Sequence, residues 1–268
     1  MAAAGRHGLT ASRLAGRVGD VDWLATGGGD PITVFAHGFG GGIADTRPLG
    51  SGVGGTRVFL AFRGHGGSAP LPADWTYDTL ADDLRRVADT HDATHAVGVS
   101  LGAGALTRLV ADSPSRFDRL VFFLPAVLDR PRPPDARSRF AALADALESQ
   151  DDEQLAAVVA LEVPPGFAGS AAARTYVRQR VAALRAPGMV EALRRLPTLT
   201  AVPAADALCA VRAPALVIGC VGDPLHPTGV AEELADALPN AELHVYDEPG
   251  VLWNQRADLR SRLAHFLR

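Results

Sequence analysis

The sequence predicts an α/β fold, in which a mostly parallel, doubly wound sheet carries one inserted helical lid. Short apolar segments rich in β-branched residues alternate with segments whose apolar residues recur at helical spacing. Glycine-rich loops follow several of the apolar segments, and residues 129–206 contain helical patterns without any strand pattern. Alternating strands and helices favour a parallel sheet covered on both faces. We therefore expect a core made of residues 1–128 and 207–268, and a lid at 129–206.

The core elements are predicted from apolar runs and from helical spacing. Strands are expected at Ile32–Ala36, Arg57–Phe62, His95–Val99, Arg119–Leu124, Ala215–Val221 and Glu242–Tyr246. Helices are expected at Tyr77–Thr90, Leu101–Asp112, Thr228–Leu238 and Arg256–Leu267. In the first of these helices, Leu80, Leu84 and Val87 recur on one face.

The lid begins at a proline-rich joint, DRPRPPD, where each proline fixes φ and removes a hydrogen-bond donor. Helical patterns follow at Ala136–Ser149, Glu153–Leu161, Ala171–Ala186 and Met189–Leu196. Helices without strands, placed between two strands of one sheet, are typical of a lid that covers a site.

Composition and charge exclude several classes of function. The net charge is −4, whereas a nucleic-acid-binding surface normally requires a basic excess. All 26 basic residues are arginine, so the chain lacks a Schiff-base lysine, a pyridoxal phosphate anchor and a phosphate-loop lysine. Histidine and acidic residues show no metal-binding spacing. We therefore expect neither a metal nor a cofactor.

Cysteine usage and hydropathy predict a cytoplasmic protein without a membrane partner. Cys209 and Cys220 are too few for a disulfide framework. No apolar stretch approaches the roughly 18 residues of a membrane span. Residues 1–17, MAAAGRHGLTASRLAGR, lack the continuous apolar segment of a signal peptide, and we expect them to form a loose tail.

The segment GVSLG, residues 98–102, lies between a predicted strand and a predicted helix. A sharp turn there would lift Ser100 above the sheet, and such a turn needs small residues around the serine. Gly98 and Gly102 meet this need. The free N–H groups at the start of the helix would also face the serine. We therefore take Ser100 as the candidate nucleophile.

A second glycine-rich loop, HGFGGG at residues 37–42, follows the strand Ile32–Ala36. A dinucleotide-binding fingerprint would require glycine at position 43, where Ile43 stands. The loop is better interpreted as a source of backbone N–H groups. The N–H groups of Phe39 and Leu101 together would form an oxyanion hole.

The segments HGFGG, RGHGGS (residues 63–68) and GVSLG occur in an order and spacing that resemble the α/β-hydrolase superfamily. The match runs from about Val21 to the C-terminus and implies the α/β-hydrolase fold. One departure is Ala61, where many members have aspartate. The resemblance implies a catalytic acid after the seventh strand, where VGDPLHP places Asp223. Asp129, after the sixth strand, is the alternative acid.

The resemblance also implies a catalytic histidine in the loop after the last strand. That loop reads DEPGVLW, and Val251 stands at the expected position. Valine cannot accept a proton. Of the eight histidines, His65 belongs to the RGHGGS loop, where the resemblance implies a structural role. Two others lie at the carboxyl ends of strands, where the site is expected: His226, three residues after Asp223, and His37, beside the oxyanion loop. Both remain candidates for the base.

Three functions are consistent with this sequence. The first is a hydrolase of a small ester, thioester or lactone, with an atypical or incomplete triad of Ser100, Asp223 and His226. The second is a lyase or cyclase that uses the oxyanion hole without forming an acyl-enzyme. The third is a ligand-binding protein built on a hydrolase scaffold. In each case the expected partner is a small, moderately apolar molecule, and no nucleic acid is expected.

Overall fold

The computed structural model describes residues 12–268, which form one eight-stranded sheet. The strands are β1 (Ser12–Val18), β2 (Val21–Gly27), β3 (Ile32–Ala36), β4 (Thr56–Ala61), β5 (His95–Val99), β6 (Arg119–Phe123), β7 (Ala215–Cys220) and β8 (Ala241–Tyr246). Their spatial order is β1-β2-β4-β3-β5-β6-β7-β8. The strand β2 is antiparallel to both of its neighbours, and all other pairs are parallel. The predicted mostly parallel sheet is confirmed.

Ten α-helices lie within the described residues. They are α1 (Ile43–Thr46), α2 (Tyr77–Thr90), α3 (Leu101–Asp112), α4 (Pro134–Glu148), α5 (Asp152–Ala160), α6 (Ala171–Leu184), α7 (Met189–Arg195), α8 (Thr228–Ala237), α9 (Val251–Asn254) and α10 (Arg256–Phe266). Four of them, α4 to α7, form a helical region inserted between β6 and β7, as the sequence predicts. Across residues 12–268, no helix has both the length and the apolar character needed to cross a membrane.

Both faces of the sheet are buried. Successive side chains of each central strand point to opposite sides, and each face packs against its own apolar cluster. In β3, Val34 and Ala36 belong to the apolar cluster that contains α2 and α3, whereas Phe35 belongs to a second cluster with Leu259 and Leu263 of α10. Residues of the inserted helices extend the first cluster. The inserted helices therefore share a continuous apolar core with the sheet.

The prediction of a loose N-terminal tail is wrong for residues 12–17, which belong to β1. This strand pairs with β2 across a two-residue turn, Gly19-Asp20, and Gly19 has a φ of 54°. A glycine-aspartate pair between two strands is a hairpin signal that the tail interpretation overlooked. Residues 1–11 lie outside the described part of the chain.

Candidate active site

Ser100 lies in a sharp turn between β5 and α3. Its backbone has a φ of 51° and a ψ of −105°, a strained conformation for a residue with a side chain. A Cβ atom on Gly102 would lie 2.4 Å from the Ala36 carbonyl oxygen, and one on Gly98 would lie 2.4 Å from the Gly102 carbonyl oxygen. Only glycine fits at these two positions, because the backbone atoms that surround them cannot move aside. The turn therefore presents the serine at the carboxyl end of β5.

The Ser100 hydroxyl is hydrogen-bonded to a histidine. Its Oγ lies 2.8 Å from His226 Nε2, and His226 Nδ1 lies 2.9 Å from Asp223 Oδ2. A carboxylate only accepts hydrogen bonds, so this contact places the ring proton on Nδ1. The unprotonated Nε2 then accepts from the serine hydroxyl. The three side chains that the sequence predicts as nucleophile, base and acid are thus connected in one continuous chain of hydrogen bonds.

The loop after β7 makes this arrangement compact. Asp223 Oδ1 accepts hydrogen bonds from the backbone N–H groups of Leu225, at 2.9 Å, and His226, at 3.2 Å. These bonds turn the chain back on itself, so that the imidazole reaches the second carboxylate oxygen three residues upstream. Burial acts to raise the Asp223 pKa, but the interactions with His226 and with the two N–H groups outweigh it and hold the pKa below its usual value.

The glycine-rich loop at residues 37–42, which the sequence predicts to be an oxyanion loop, lies beside Ser100. A Cβ atom on Gly38 would lie 3.4 Å from the Ser100 Cβ, so the two residues are neighbours. In the same loop, Gly40 N donates to His65 Nε2 at 2.9 Å, and Gly41 N donates to the Gly38 carbonyl at 3.0 Å. Among the described residues, the N–H groups of Phe39 and Leu101 have no hydrogen-bond partner. These are the two groups that the sequence predicts as the oxyanion hole.

His37, the other candidate base, is bonded to the backbone on both sides of its ring. Its Nδ1 lies 2.7 Å from the Gly38 carbonyl oxygen, and its Nε2 accepts from Phe62 N at 3.0 Å. Burial lowers the His37 pKa to about 3 and the His65 pKa to about 4. Both rings are therefore neutral supports of the loops around the serine, and neither contacts the Ser100 hydroxyl in this structure.

Two further positions singled out from the sequence lie apart from this chain of hydrogen bonds. Asp129, the alternative acid, accepts a hydrogen bond from Ala205 N at 3.2 Å and lies 3.6 Å from the Arg130 guanidinium. Val251, at the start of α9, is 2% exposed and belongs to the apolar cluster that faces α10. Pro164 from the inserted region packs directly over the neighbouring Gly250.

A group of residues near the oxyanion loop was missed in the sequence. Arg180 of α6 donates through Nη1 to the Phe39 carbonyl oxygen, and its Nε lies 3.2 Å from Glu162 Oε2. The Tyr176 hydroxyl donates to the same Glu162 oxygen. No local pattern marks these residues, because 141 positions separate Arg180 from Phe39. Within residues 12–268, no group of three or more histidine, cysteine or acidic side chains is arranged to hold a metal ion.

Solved structures share this fold. The chain superposes on an esterase from Exiguobacterium antarcticum with a TM-score of 0.75 at 18% identity, covering 92% of this chain and 95% of that one. The enol-lactonase from Burkholderia xenovorans LB400 gives a TM-score of 0.76 at 20% identity, with 92% and 96% covered. At these identities the likeness establishes the fold alone.

One curated relative is the dihydrolipoyllysine-residue acetyltransferase component of the acetoin cleaving system from Cupriavidus necator. It is 35% identical over 102 residues, which are 36% of this chain and 27% of that protein. The similarity therefore covers about a quarter of the relative's length. A profile described as the alpha/beta hydrolase fold matches residues 31–250. Because this match covers most of the sequence and agrees with the observed sheet, the chain belongs to the alpha/beta hydrolase fold family.

Proposed function

We propose that this protein is a serine hydrolase that cleaves a small ester, thioester or lactone through an acyl-enzyme. The observation that carries the proposal is the 2.8 Å contact between Ser100 Oγ and His226 Nε2, with Asp223 on the opposite ring nitrogen. Serine, histidine and acid in this relation are recognised by geometry and role, not by their order in the chain.

Acylation uses the three side chains in sequence. Ser100 Oγ attacks the substrate carbonyl carbon while its proton passes to His226 Nε2. The imidazolium that forms is stabilised by the Asp223 carboxylate, whose low pKa keeps it ionised at neutral pH. When the tetrahedral intermediate collapses, the same proton passes from Nε2 to the departing alkoxide or thiolate. In deacylation, a water oxygen attacks the acyl carbon while its proton passes to His226 Nε2. When this second tetrahedral intermediate collapses, the bond between the acyl carbon and Ser100 Oγ breaks, the proton passes from Nε2 to Oγ, and the acid product is released.

The oxyanion is stabilised by the N–H groups of Phe39 and Leu101. Neither has a partner among the described residues, and both residues are buried. In a site that excludes water, such donors contribute about 10²- to 10³-fold each to kcat. The Leu101 N–H also lies at the first turn of α3, where the helix dipole favours negative charge.

We infer that His226 is the catalytic base, a role that in other members of the family belongs to a histidine in the loop after the last strand. Val251 stands at that position and is packed among apolar side chains. The compact Asp223–His226 turn keeps the acid and the base on one loop. We further propose that the inserted helices α4 to α7 act as the lid of the site. Their segments are rich in alanine, leucine and valine, a composition that favours an uncharged acyl group.

The proposal is tested with a fluorophosphonate probe and with p-nitrophenyl acetate. Wild-type protein is expected to be labelled on Ser100 and to hydrolyse the ester. Ser100→Ala abolishes labelling, and His226→Asn lowers kcat by at least about 10³-fold, because the serine proton then has no acceptor. His265→Asn is the matched control, since His265 is exposed on α10.

Two results would contradict this function. If the probe does not label Ser100 in folded wild-type protein, the hydrolase assignment fails and a ligand-binding role is favoured. If Ser100→Ala retains most turnover of a natural substrate, the oxyanion hole works without an acyl-enzyme, as in a lyase or cyclase.

A further inference from the structure

Arg180 connects the inserted helices to the oxyanion loop. Its guanidinium donates to the Phe39 carbonyl on one side and to the Glu162 carboxylate on the other. The Arg180 and Glu162 side chains are 15% and 11% exposed. A buried ion pair of this kind is weak support for stability, because removing both charges from water is costly. The position of this ion pair next to the oxyanion loop therefore indicates a role other than stabilising the fold.

The contact holds one of the two peptide planes that flank Phe39. In the Phe39–Gly40 peptide, the carbonyl oxygen accepts from Arg180 and the N–H donates to His65. In the Gly38–Phe39 peptide, the carbonyl oxygen lies 2.7 Å from His37 Nδ1. Because a trans peptide directs its N–H opposite to its carbonyl, the Phe39 N–H follows the Gly38–Phe39 plane, whose carbonyl also accepts from Gly41 N. Arg180 acts on the adjoining plane, which shares the Phe39 Cα, and so restrains rotation of the backbone at Phe39.

The loop is shaped to receive this arginine. Gly40 has a φ of 64°, and a Cβ atom there would lie 2.1 Å from Arg180 Nη1 and 3.1 Å from a Leu184 methyl carbon. Any larger residue would therefore displace the guanidinium. On the opposite side, the Tyr176 hydroxyl bonds to the Glu162 oxygen that pairs with Arg180. The guanidinium is thus bonded both to the inserted region and to the loop.

We infer that Arg180 is a positioning residue, which aims the Phe39 N–H at the oxyanion only when the inserted helices are docked on the core. The inference rests on the proposed function, because it concerns the oxyanion hole of the same site. It makes assembly of that hole depend on the lid. It also assigns a role in the reaction to a residue 80 positions after Ser100 that touches neither the nucleophile nor the base.

The test compares Arg180→Met with Arg178→Met. Arg178 is exposed on the same helix, and within residues 12–268 its side chain bonds only to Thr175, so the same substitution there leaves the loop unchanged. With p-nitrophenyl acetate, Arg180→Met is expected to lower kcat by about 10- to 100-fold, less than outright loss of an oxyanion donor, with KM within about threefold of wild type. The rate of phosphonylation of Ser100 falls in parallel. Arg178→Met changes neither rate.

Thermal unfolding shows whether Arg180→Met folds. If it does not, Arg180→Lys and Glu162→Gln take its place in the test. Lysine keeps the charge but cannot donate to Glu162 and Phe39 as a planar fork, so an intermediate kcat is expected. The inference is overturned if every folded variant keeps the kcat and the phosphonylation rate of the wild type. It is also overturned if KM rises and kcat does not change. Failure of wild-type protein to react with the probe would instead refute the proposed function, and the inference with it.

Discussion

At the scale of single residues, the proposed acid and the proposed base lie three positions apart on one loop. The Asp223 carboxylate accepts hydrogen bonds from the His226 imidazole and from two backbone N–H groups at the same time. The Asp223 side chain thus shapes the loop and orients the ring. Val251, in contrast, lies in an apolar cluster. Position 226 is surrounded by hydrogen-bonding groups and position 251 by apolar side chains. A histidine therefore finds partners at position 226 and none in the cluster around position 251.

We expect that a histidine at position 251 does not replace His226. In Val251→His, an imidazole enters an apolar cluster without a partner, which costs about 1–3 kcal/mol of unfolding free energy. Combined with His226→Asn, it is expected to leave kcat/KM at the level of His226→Asn alone. Urea unfolding and ester hydrolysis measure the two effects.

Val251→Leu is the control, because it changes the size of the side chain without adding a polar atom. Recovery of hydrolysis in the Val251→His, His226→Asn double variant would contradict this prediction. It would mean that position 251 reaches Ser100 and that Asp223 serves either histidine.

At the scale of elements, the strand–turn–helix unit of β5 and α3 determines where the serine lies. The turn has a strained backbone at Ser100, and its glycines touch backbone atoms of the unit itself and of β3. Strain of this kind persists only where the surrounding packing enforces it. Small changes in the turn therefore affect catalysis and stability together.

Gly102→Ala is expected to disrupt this turn. The new Cβ would lie 2.4 Å from the Ala36 oxygen and 2.7 Å from the Ala36 carbonyl carbon, so β3 and α3 must separate. We expect a loss of about 1–3 kcal/mol of unfolding free energy, as in other overpacked sites. The rate of phosphonylation at Ser100 falls as well, because the hydroxyl moves relative to His226.

The control for this experiment is Gly229→Ala. Gly229 lies in α8, and a Cβ atom added there would meet no heavy atom of the described residues within 4 Å. Alanine at this position is therefore expected to keep stability or to raise it by up to about 1 kcal/mol. If Gly102→Ala matched the control in both stability and labelling, the close-packed turn would not be a requirement of the site.

At the scale of the whole molecule, the loops around the serine are held by buried neutral histidines. His37 and His65 bond backbone groups from neighbouring loops, and their pKa values are lowered to about 3 and about 4. In the unfolded chain both would titrate near 6.5. Folding stability is therefore linked to pH through these two rings.

We expect stability to fall as the pH drops from 7 to 5. In this range the unfolded chain binds protons at both histidines and the folded chain does not, so each ring reduces the unfolding free energy by up to about 1.4 kcal/mol per pH unit. The stabilisation is fully present above pH 6.5 and is lost as the pH falls toward the folded pKa values. Urea unfolding at pH 7, 6 and 5 measures it.

His65→Gln isolates the contribution of one ring. Glutamine keeps an acceptor for Gly40 N but does not titrate, so the slope between pH 6 and 5 is expected to decrease by about 1 kcal/mol per pH unit. An unchanged slope would show that the acid sensitivity has another origin.

Much of the fold follows from local pattern. The helices α2 and α3 begin and end at the predicted residues, since helical spacing of apolar side chains and a strong capping residue, Thr76, act over short distances. The strands β1 and β2 escape prediction. The strand β1 lies at a sheet edge and its sequence shows little apolar alternation, and β2 pairs antiparallel with β1 and β4, a partnership that local sequence does not reveal. The turn Gly19-Asp20 is a hairpin signal only when both flanking segments are taken as strands.

The residues of the site likewise fall into those that the sequence indicates and those that only the tertiary structure identifies. Local sequence marks Ser100 in its strand–turn–helix context and the glycine-rich loop of residues 37–42. The resemblance to the family adds Asp223 as the predicted acid, with Asp129 as the alternative. The sequence leaves His226 and His37 as alternatives, and it offers nothing to mark Arg180. Only the tertiary structure distinguishes these residues, because Ser100 and His226 lie 126 positions apart and meet through the parallel order of β5, β6 and β7. Which way a side chain points from a loop is decided by packing and hydrogen bonds between distant segments, and these contacts leave no periodic trace in the chain.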